Sequence, residues 1–432
     1  MEDIHVLLLD YTSQTALSKA IVSLQYIRSR IKKVTIIRRK NHIFKIDAFD
    51  FHDRIGCQEI VEENLSKTLK KIVEESTCQY VLCLYDQDYL TEKIKNVSLR
   101  IEEDNMVITY LYDVRRLMIQ RPFFIKKQLL KQTSFLLEYQ VPFKEAILPH
   151  WLSQLNRVRT VKTMAVPKEV VKQNRKIDNH TNFYKQEFIK KYFNSSSDEI
   201  AAPSLSIMMA NYNMEQYIET ALASCVAQTT PPDQVLVIDD GSSDCSYQKI
   251  ERWTKIFPIE SFRQKNSGKA RALNQLLPHI KTDFVLELDA DDWLDPDAFT
   301  VLKPLLAKIS NDVSVIYGNL KFWKQQNDGD VIFKGIRTGM PVHTQKQLLS
   351  YRFPLGPRIY RTASLRKNGG FPVKTFQDGR LYEDVFILND LLKSGRLFYN
   401  NFSIYNVRKH DASITKKHHS KWSDVIKNID IG

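Results

Sequence analysis

The segment Asp283-Phe284-Val285-Leu286-Glu287-Leu288-Asp289-Ala290-Asp291-Asp292-Trp293 limits the folds open to this chain more than any other. A short apolar run reads as a buried strand, and this one runs directly into carboxylates. In an open α/β sheet, ligands bind at the carboxyl ends of the strands. Asp289 and Asp291 stand there two residues apart, across the small Ala290. Two hard oxygen donors at that spacing suit Mg²⁺ or Mn²⁺ carried in by a diphosphate. A lone Asp-x-Asp is more often an acidic surface turn, so the surrounding segments decide its meaning.

Those segments alternate strand and helix patterns. Residues 205–210 are an apolar strand. Residues 214–228 carry Tyr217, Ile218, Ala221, Leu222 and Cys225 at helical spacing, up to Pro231-Pro232. Residues 234–238 form the next strand, which opens into Asp239-Asp240-Gly241-Ser242. Such alternation implies an α/β domain over 203–432, with a mainly parallel sheet and helices on both faces. The small, polar Asn194-Ser195-Ser196-Ser197-Asp198 reads as an exposed loop, and 151–202 as a linker or bridging helix.

Residues 1–150 echo this pattern. Val34 matches Val235 at an offset of 201, and Val81 matches Val285 at 204. Two unrelated α/β units would also look alike, so the echo is suggestive. Where the later unit has Asp239-Asp240 the earlier has Arg38-Arg39, and Tyr85-Asp86-Gln87 replaces Asp289-Ala290-Asp291. A metal-diphosphate site does not survive those exchanges. The expectation is a degenerate, non-catalytic copy over 1–150. Glu145-Ala146 is its candidate counterpart of Glu383-Asp384, with the second carboxylate lost.

A chain of 432 residues exceeds one ordinary domain. No apolar run approaches the roughly 20 residues that cross a bilayer. Met1-Glu2-Asp3 lacks the positive start of a secretion signal, so a cytoplasmic location is expected. The five Cys read as reduced thiols. A net charge of +13 points to an anionic partner: a nucleotide, a phospholipid surface, nucleic acid or an acidic glycan. In Arg121-Pro122-Phe123-Phe124-Ile125-Lys126-Lys127 aromatics interleave with cations. Two readings are open there: peripheral contact with a membrane or cell surface, and a solvated helix face with buried Phe.

Further candidates lie around the acidic pair. Asp239 and Asp240 close a strand, where a carboxylate can accept from a base N–H or a ribose hydroxyl. Asn266-Ser267-Gly268-Lys269-Ala270-Arg271 opens a helix, whose free N–H groups and cations suit a phosphate. Glu383 and Asp384 start an amphipathic helix; Arg408 and His410 precede Asp411-Ala412-Ser413. Taken singly, each has a bland reading as a cap, a loop or a surface charge.

Their order resembles the family 2 glycosyltransferases of the GT-A fold. The resemblance covers about 203–413, through Ser206 to Asn213, Val237 to Asp244, Gly268 to Asn274, Leu288 to Asp292, and Tyr382-Glu383-Asp384. It implies an inverting transfer of sugar from a nucleoside diphosphate donor, of UDP or dTDP type, to an acceptor hydroxyl on a glycan, lipid or protein. It places Asn211, Asp239 and Asp240 by the nucleoside, and Asp289 on the ribose side. Lys269 and Arg271 fall at the diphosphate, and Asp291 with His410 at a Mn²⁺ or Mg²⁺ ion. Asp384 is the general base, with Glu383 its alternative, and Gly356, Pro357 and Arg358 fall in an acceptor-facing loop. The layout suits a bacterial cell-surface or spore-coat glycosylation enzyme, and it leaves a homo-oligomer open. The first unit then reads as a GT-A-like copy that docks an acceptor, a partner or a surface.

Two rivals stand beside this reading. A nucleotidyltransferase shares the metal chemistry but carries a Gly-rich basic loop after the first strand, where this chain has Asn211-Tyr212-Asn213. A basic nucleic-acid-binding module would lose affinity steeply with salt. The acidic cluster argues against it, because carboxylates repel a polyanion.

Overall fold

The computed structural model describes residues 2–38, 43–46, 49, 52–60, 65–114, 117–132, 141–158, 161–173, 180–194, 202–327, 329–351, 355–373 and 382–410. The chain divides into two compact units, Met1–Lys190 and Lys191–Gly432.

The first unit contains β1 (Ile4–Leu9), α1 (Gln14–Ser23), β2 (Ile31–Arg38), β3 (Ile55–Glu59), α2 (Leu65–Glu75), β4 (Tyr80–Tyr85), β5 (Asp88–Leu90), β6 (Met106–Val114), β7 (Leu117–Lys126), α3 (Lys127–Gln132), α4 (Ile147–Val158), β8 (Lys162–Ala165), β9 (Val171–Gln173) and α5 (His180–Lys191). Its main sheet has the order β3-β2-β1-β4-β7-β6-β8, and β5 pairs separately with β9. Strands β1 to β4 are parallel neighbours; β7 runs antiparallel to β4 and β6, and β8 parallel to β6.

The second unit contains β10 (Leu205–Asn211), α6 (Ile218–Val226), β11 (Gln234–Asp239), α7 (Ser246–Thr254), β12 (Ile259–Arg263), α8 (Lys269–Leu276), β13 (Phe284–Glu287), β14 (Trp293–Leu294), α9 (Ala298–Leu306), β15 (Val313–Gln325), β16 (Val331–Arg337), α10 (Gln345–Leu349), β17 (Arg358–Arg361), α11 (Thr362–Lys367), α12 (Glu383–Ser394) and β18 (Arg396–Lys409). Its sheet runs β12-β11-β10-β13-β17-β15-β18-β14, with β16 on β15. Strands β10 and β13 are buried along nearly their whole length, as parallel strands covered on both faces must be.

The two sheets share more than strand order. Val6 lies opposite Val34 and Leu82, and Ile207 opposite Val235 and Leu286. These registers reproduce the offsets of 201 and 204. Tyr80 faces Lys126 across β4 and β7, as Phe284 faces Arg361 across β13 and β17. The first unit is an α/β copy of the second in topology and register.

Three expectations are corrected. Residues 151–190 are not a linker, because Trp151, Leu152 and Leu155 of α4 lie in the first unit's core and β8 pairs with β6. Residues 195–201 lie outside the described residues. The basic-aromatic segment at 121–127 is neither a membrane face nor a solvated helix: it falls mainly in β7, with Arg121, Phe123 and Phe124 buried. There Arg121 stacks 3.6 Å from the Tyr112 ring. The helix expected at 214–228 starts only at Ile218. Met214 N donates to Ser246 Oγ (3.0 Å) and Glu215 N to Asp244 Oδ2 (3.0 Å), so these residues are tied to the next loop. No helix among the described residues is long and apolar enough to cross a membrane.

The second unit begins with a buried clamp. Asp295 is fully buried and accepts from Lys191 Nζ (2.5 Å), Lys321 Nζ (2.6 Å) and Asn406 Nδ2 (2.8 Å). A carboxylate this deep needs such partners.

Candidate active site

The carboxyl ends of β10, β11 and β13 bring three groups of residues together. At the first, Asn211 Nδ2 donates to Asp239 Oδ2 (2.9 Å) and to Ser242 Oγ (3.1 Å). Asp239 Oδ1 accepts from Ser242 N (3.0 Å) and lies 3.5 Å from Arg263 Nε. Asn211 Oδ1 is buried with no hydrogen-bond partner among the described residues. It is an acceptor available to a donor such as a base N–H. In the first unit the equivalent cross-strand pair is reversed in sign: Arg38 Nη2 lies 2.9 Å from Glu59 Oε1.

Asp240 does a different job from that expected of it. Its Oδ1 accepts from Gln264 Nε2 (2.7 Å) and Ser267 N (2.8 Å), and its Oδ2 from Gly268 N (2.9 Å). Both oxygens anchor the loop before α8. Gly241 turns at φ +71°, and a Cβ there would lie 2.5 Å from Asn266 N, so only glycine fits.

Lys269, the first residue of α8, was expected at a phosphate. Instead its ammonium lies 2.5 Å from Asp289 Oδ1, 2.8 Å from Glu287 Oε1 and 3.2 Å from Glu383 Oε1. Burial disfavours its charge, but these three carboxylates outweigh that and raise its pKa well above the usual lysine value. Arg271 Nη1 turns back to Ser267 O (2.8 Å).

Behind Asp289 lies a cluster that the sequence reasoning missed. Glu287 is buried on β13 and takes a two-pronged ion pair from Arg358, with Nε at 2.9 Å and Nη2 at 2.9 Å. Tyr360 OH also donates to it (2.9 Å). Burial pushes the Glu287 carboxyl up, yet Arg358 and Lys269 overcome this and hold it well below the usual range. Arg358 extends to Asp384, its Nη1 3.5 Å from Oδ2. Two signals existed in the sequence: an ionisable residue inside a buried apolar run, and Arg358 with Tyr360 on one face of a strand.

The third group closes over β13. Asp289 N donates to Tyr405 OH (3.0 Å). His410 Nε2 lies 2.9 Å from Asp291 Oδ2, and Arg408 N donates to Asp292 Oδ1 (2.7 Å). The Arg408 guanidinium sits over Tyr217 (4.8 Å) and Trp293 (4.7 Å). Burial, then the charges of Asp291 and Asp289, raise the Asp292 carboxyl well above the usual range. On α12, Glu383 is raised by burial, with Lys269 opposing and Asp384 and Glu287 reinforcing. Asp411 to Ser413 lie outside the described residues.

The donor chemistry fits a hard divalent cation. Asp291 and His410 converge, but no three such side chains do so among the described residues. A cation held by these two would complete its shell with diphosphate oxygens and water, as Mg²⁺ and Mn²⁺ do.

Residues 206–371 match the family model described as Glycosyl transferase family 2. Glycosyltransferase GlyA of Streptococcus pneumoniae is 23% identical over 232 residues, covering 50% of this chain and 32% of the relative. The UDP-Gal:alpha-D-GlcNAc-diphosphoundecaprenol beta-1,3-galactosyltransferase of Escherichia coli is 28% identical over 200 residues, covering 45% of this chain and 69% of the relative. The chain thus spans about a third of the pneumococcal relative's length. A crystal structure of S. aureus TarS 1-349 with UDP-GlcNAc aligns over 53% of this chain and 68% of that one, at 21% identity and a TM-score of 0.39.

Proposed function

We propose that this chain, whose residues 206–371 match the Glycosyl transferase family 2 model, catalyses an inverting, metal-dependent transfer of sugar from a nucleoside diphosphate donor to an acceptor hydroxyl. One observation carries the reading. The Asp291–His410 pair, the Asn211–Asp239 pair and Asp384 converge on the carboxyl ends of neighbouring strands, through Asp289, Lys269 and Arg358. The donor proposed is of UDP type, as in the name of the Escherichia coli relative.

Asn211 and Asp239 hold the nucleoside, and Asp289 its ribose side. Asp291 and His410 would hold Mn²⁺ or Mg²⁺. When bound, that ion neutralises charge developing on the leaving diphosphate. Asp384 takes the proton of the acceptor hydroxyl. The acceptor oxygen bonds to the anomeric carbon as the bond from that carbon to the phosphate oxygen breaks. The electron pair leaves with the nucleoside diphosphate. A single displacement with one base inverts the centre.

Lys269 and Asp240 take new roles in this reading. Asp240 fixes the loop at the start of α8, and Lys269 joins Asp289 to α12. The acceptor is a glycan, lipid or protein hydroxyl. The first unit, lacking the acidic pairs, serves in docking an acceptor or partner.

The test is thermal stabilisation by a panel of nucleotide sugars with and without Mn²⁺, since a bound ligand raises apparent stability. The expected result is stabilisation by UDP-sugars that needs metal and is lost in Asp291→Ala. Metal-independent stabilisation that is unchanged in that variant would overturn the assignment.

A further inference from the structure

Resting on that reading of the site, we infer that Glu287 is a positioning residue whose buried charge sets the catalytic carboxylates through Arg358 and Lys269. Glu287 touches neither the proposed metal pair nor the base. Its two cationic partners do the reaching: Lys269 to Asp289 and Glu383, and Arg358 to Asp384. One fully buried carboxylate therefore joins the ends of β13, α8, β17 and α12.

The molecule contains its own control for whether the fold needs these charges. The strand registers equate Glu287 with Cys83 and Tyr360 with Ile125, and continuing the β4–β7 ladder by one residue equates Arg358 with Phe123. All three counterparts are buried and apolar. The first unit keeps the same strand order and pairing without charges at these three positions, and it carries a buried ion pair of its own elsewhere, Arg121 of β7 with Asp88. Well-packed apolar side chains commonly replace a buried ion network without loss of stability. The charges at these three positions are therefore present where the acidic motif is present and absent where it is absent, a distribution that a role in chemistry accounts for.

The charge has a direction. Glu287 neutralises Arg358 and Lys269 in part. Without it, Arg358 is drawn toward Asp384 and Asp289, and Lys269 toward Asp289 and Glu383. Glu287→Gln keeps the shape and some hydrogen bonds but removes the charge. Its kcat is expected to fall about 10²-fold, the scale of a small misplacement of reacting groups. The donor KM should stay within about threefold, because the cluster's ion pairs run to Asp289, Glu383 and Asp384 rather than to Asn211, Asp239, Asp291 or His410. The triple variant Glu287→Cys, Arg358→Phe, Tyr360→Ile, copied from the first unit, should fold, be stabilised by UDP with Mn²⁺ like the parent, and transfer no sugar.

Overturning results are distinct. A kcat for Glu287→Gln within about threefold of the parent, or a kcat and donor KM that change together, would reduce Glu287 to packing. A triple variant that fails to fold would show that the fold needs the charge. If the parent itself neither transfers nor hydrolyses sugar from any donor and gains no stability from UDP with Mn²⁺, the reading of the site fails instead. The folding of the triple variant then still decides whether the cluster belongs to the fold.

Discussion

Glu383 and Asp384 share the first turn of α12 but live in different surroundings. Glu383 is 12% exposed and bound to Lys269, whereas Asp384 is 20% exposed and lies beside Arg358. Neighbours on a helix point about 100° apart, so one substrate hydroxyl is served by one of them. Asp384→Asn is expected to keep metal-dependent donor binding and lower turnover about 10²–10⁴-fold. Steady-state kinetics beside a thermal-shift titration checks this; a larger loss in Glu383→Gln would move the base to Glu383. Gly241 allows a second prediction at this scale. With φ at +71° and Asn266 N 2.5 Å from where a Cβ would stand, Gly241→Ala should cost roughly 2–4 kcal/mol, read as a lower denaturation midpoint. A midpoint equal to the parent's would contradict the tight fit.

Strand ends carry most of the candidate site, and the end of β4, the counterpart of β13 in the first unit, is built differently. Asp86 follows β4 at φ +43°, and its Oδ1 is buried with no hydrogen-bond partner among the described residues. Burial first, then Asp88 and Glu145, push its carboxyl up to about 6 from 3.8. A raised pKa means the folded form holds the proton longer. The associated stability is full below about pH 4 and is lost as pH rises through about 6. Asp86→Asn, tolerated in the left-handed region, should raise stability at pH 7.5 by roughly 1–3 kcal/mol and flatten the slope between pH 4 and 7. Urea melts at both ends of that window test it; an unchanged slope would remove Asp86 as the source. Elements such as β10, β11 and β13 were legible because an apolar run that ends in polar residues has few other solutions. The offsets of 201 and 204 were legible for the same reason. The true start of α6 was not, because Met214 and Glu215 are held by Ser246 and Asp244, about 30 residues on. Lys269 was read as a phosphate ligand because its spacing suits one. Its capture by Glu287, Asp289 and Glu383 depends on side chains 18 to 114 residues away, and no local pattern records that. The Glu287–Arg358 pair joins residues 71 apart and stayed hidden in the same way.

Taken as a whole, the molecule separates at Lys190/Lys191, not at 150 or 203. A fragment of residues 191–432 should bind UDP-sugar with Mn²⁺ as the full chain does, and 1–190 should show no metal-dependent nucleotide shift. A fragment starting at 203 loses Lys191 and leaves buried Asp295 with Lys321 as its one remaining ion-pair partner among the described residues. Its stability should fall by roughly 3–5 kcal/mol relative to 191–432. Denaturation of the two fragments compares them directly; equal midpoints would show that the clamp contributes nothing. The placement of β18 has a consequence of another kind. β14, which follows the acidic pair, finds its one strand partner among the described residues in β18, where Trp293 faces Asn406. Asp291 likewise meets His410, 119 residues further along the chain. During synthesis at about 5–20 residues per second, the acidic loop waits roughly 6–25 seconds for the strand that completes it. Every strand of the first unit precedes the acidic loop in the chain and is synthesised before that wait begins. On the ribosome, the centre proposed for catalysis is the last part of the described molecule to close.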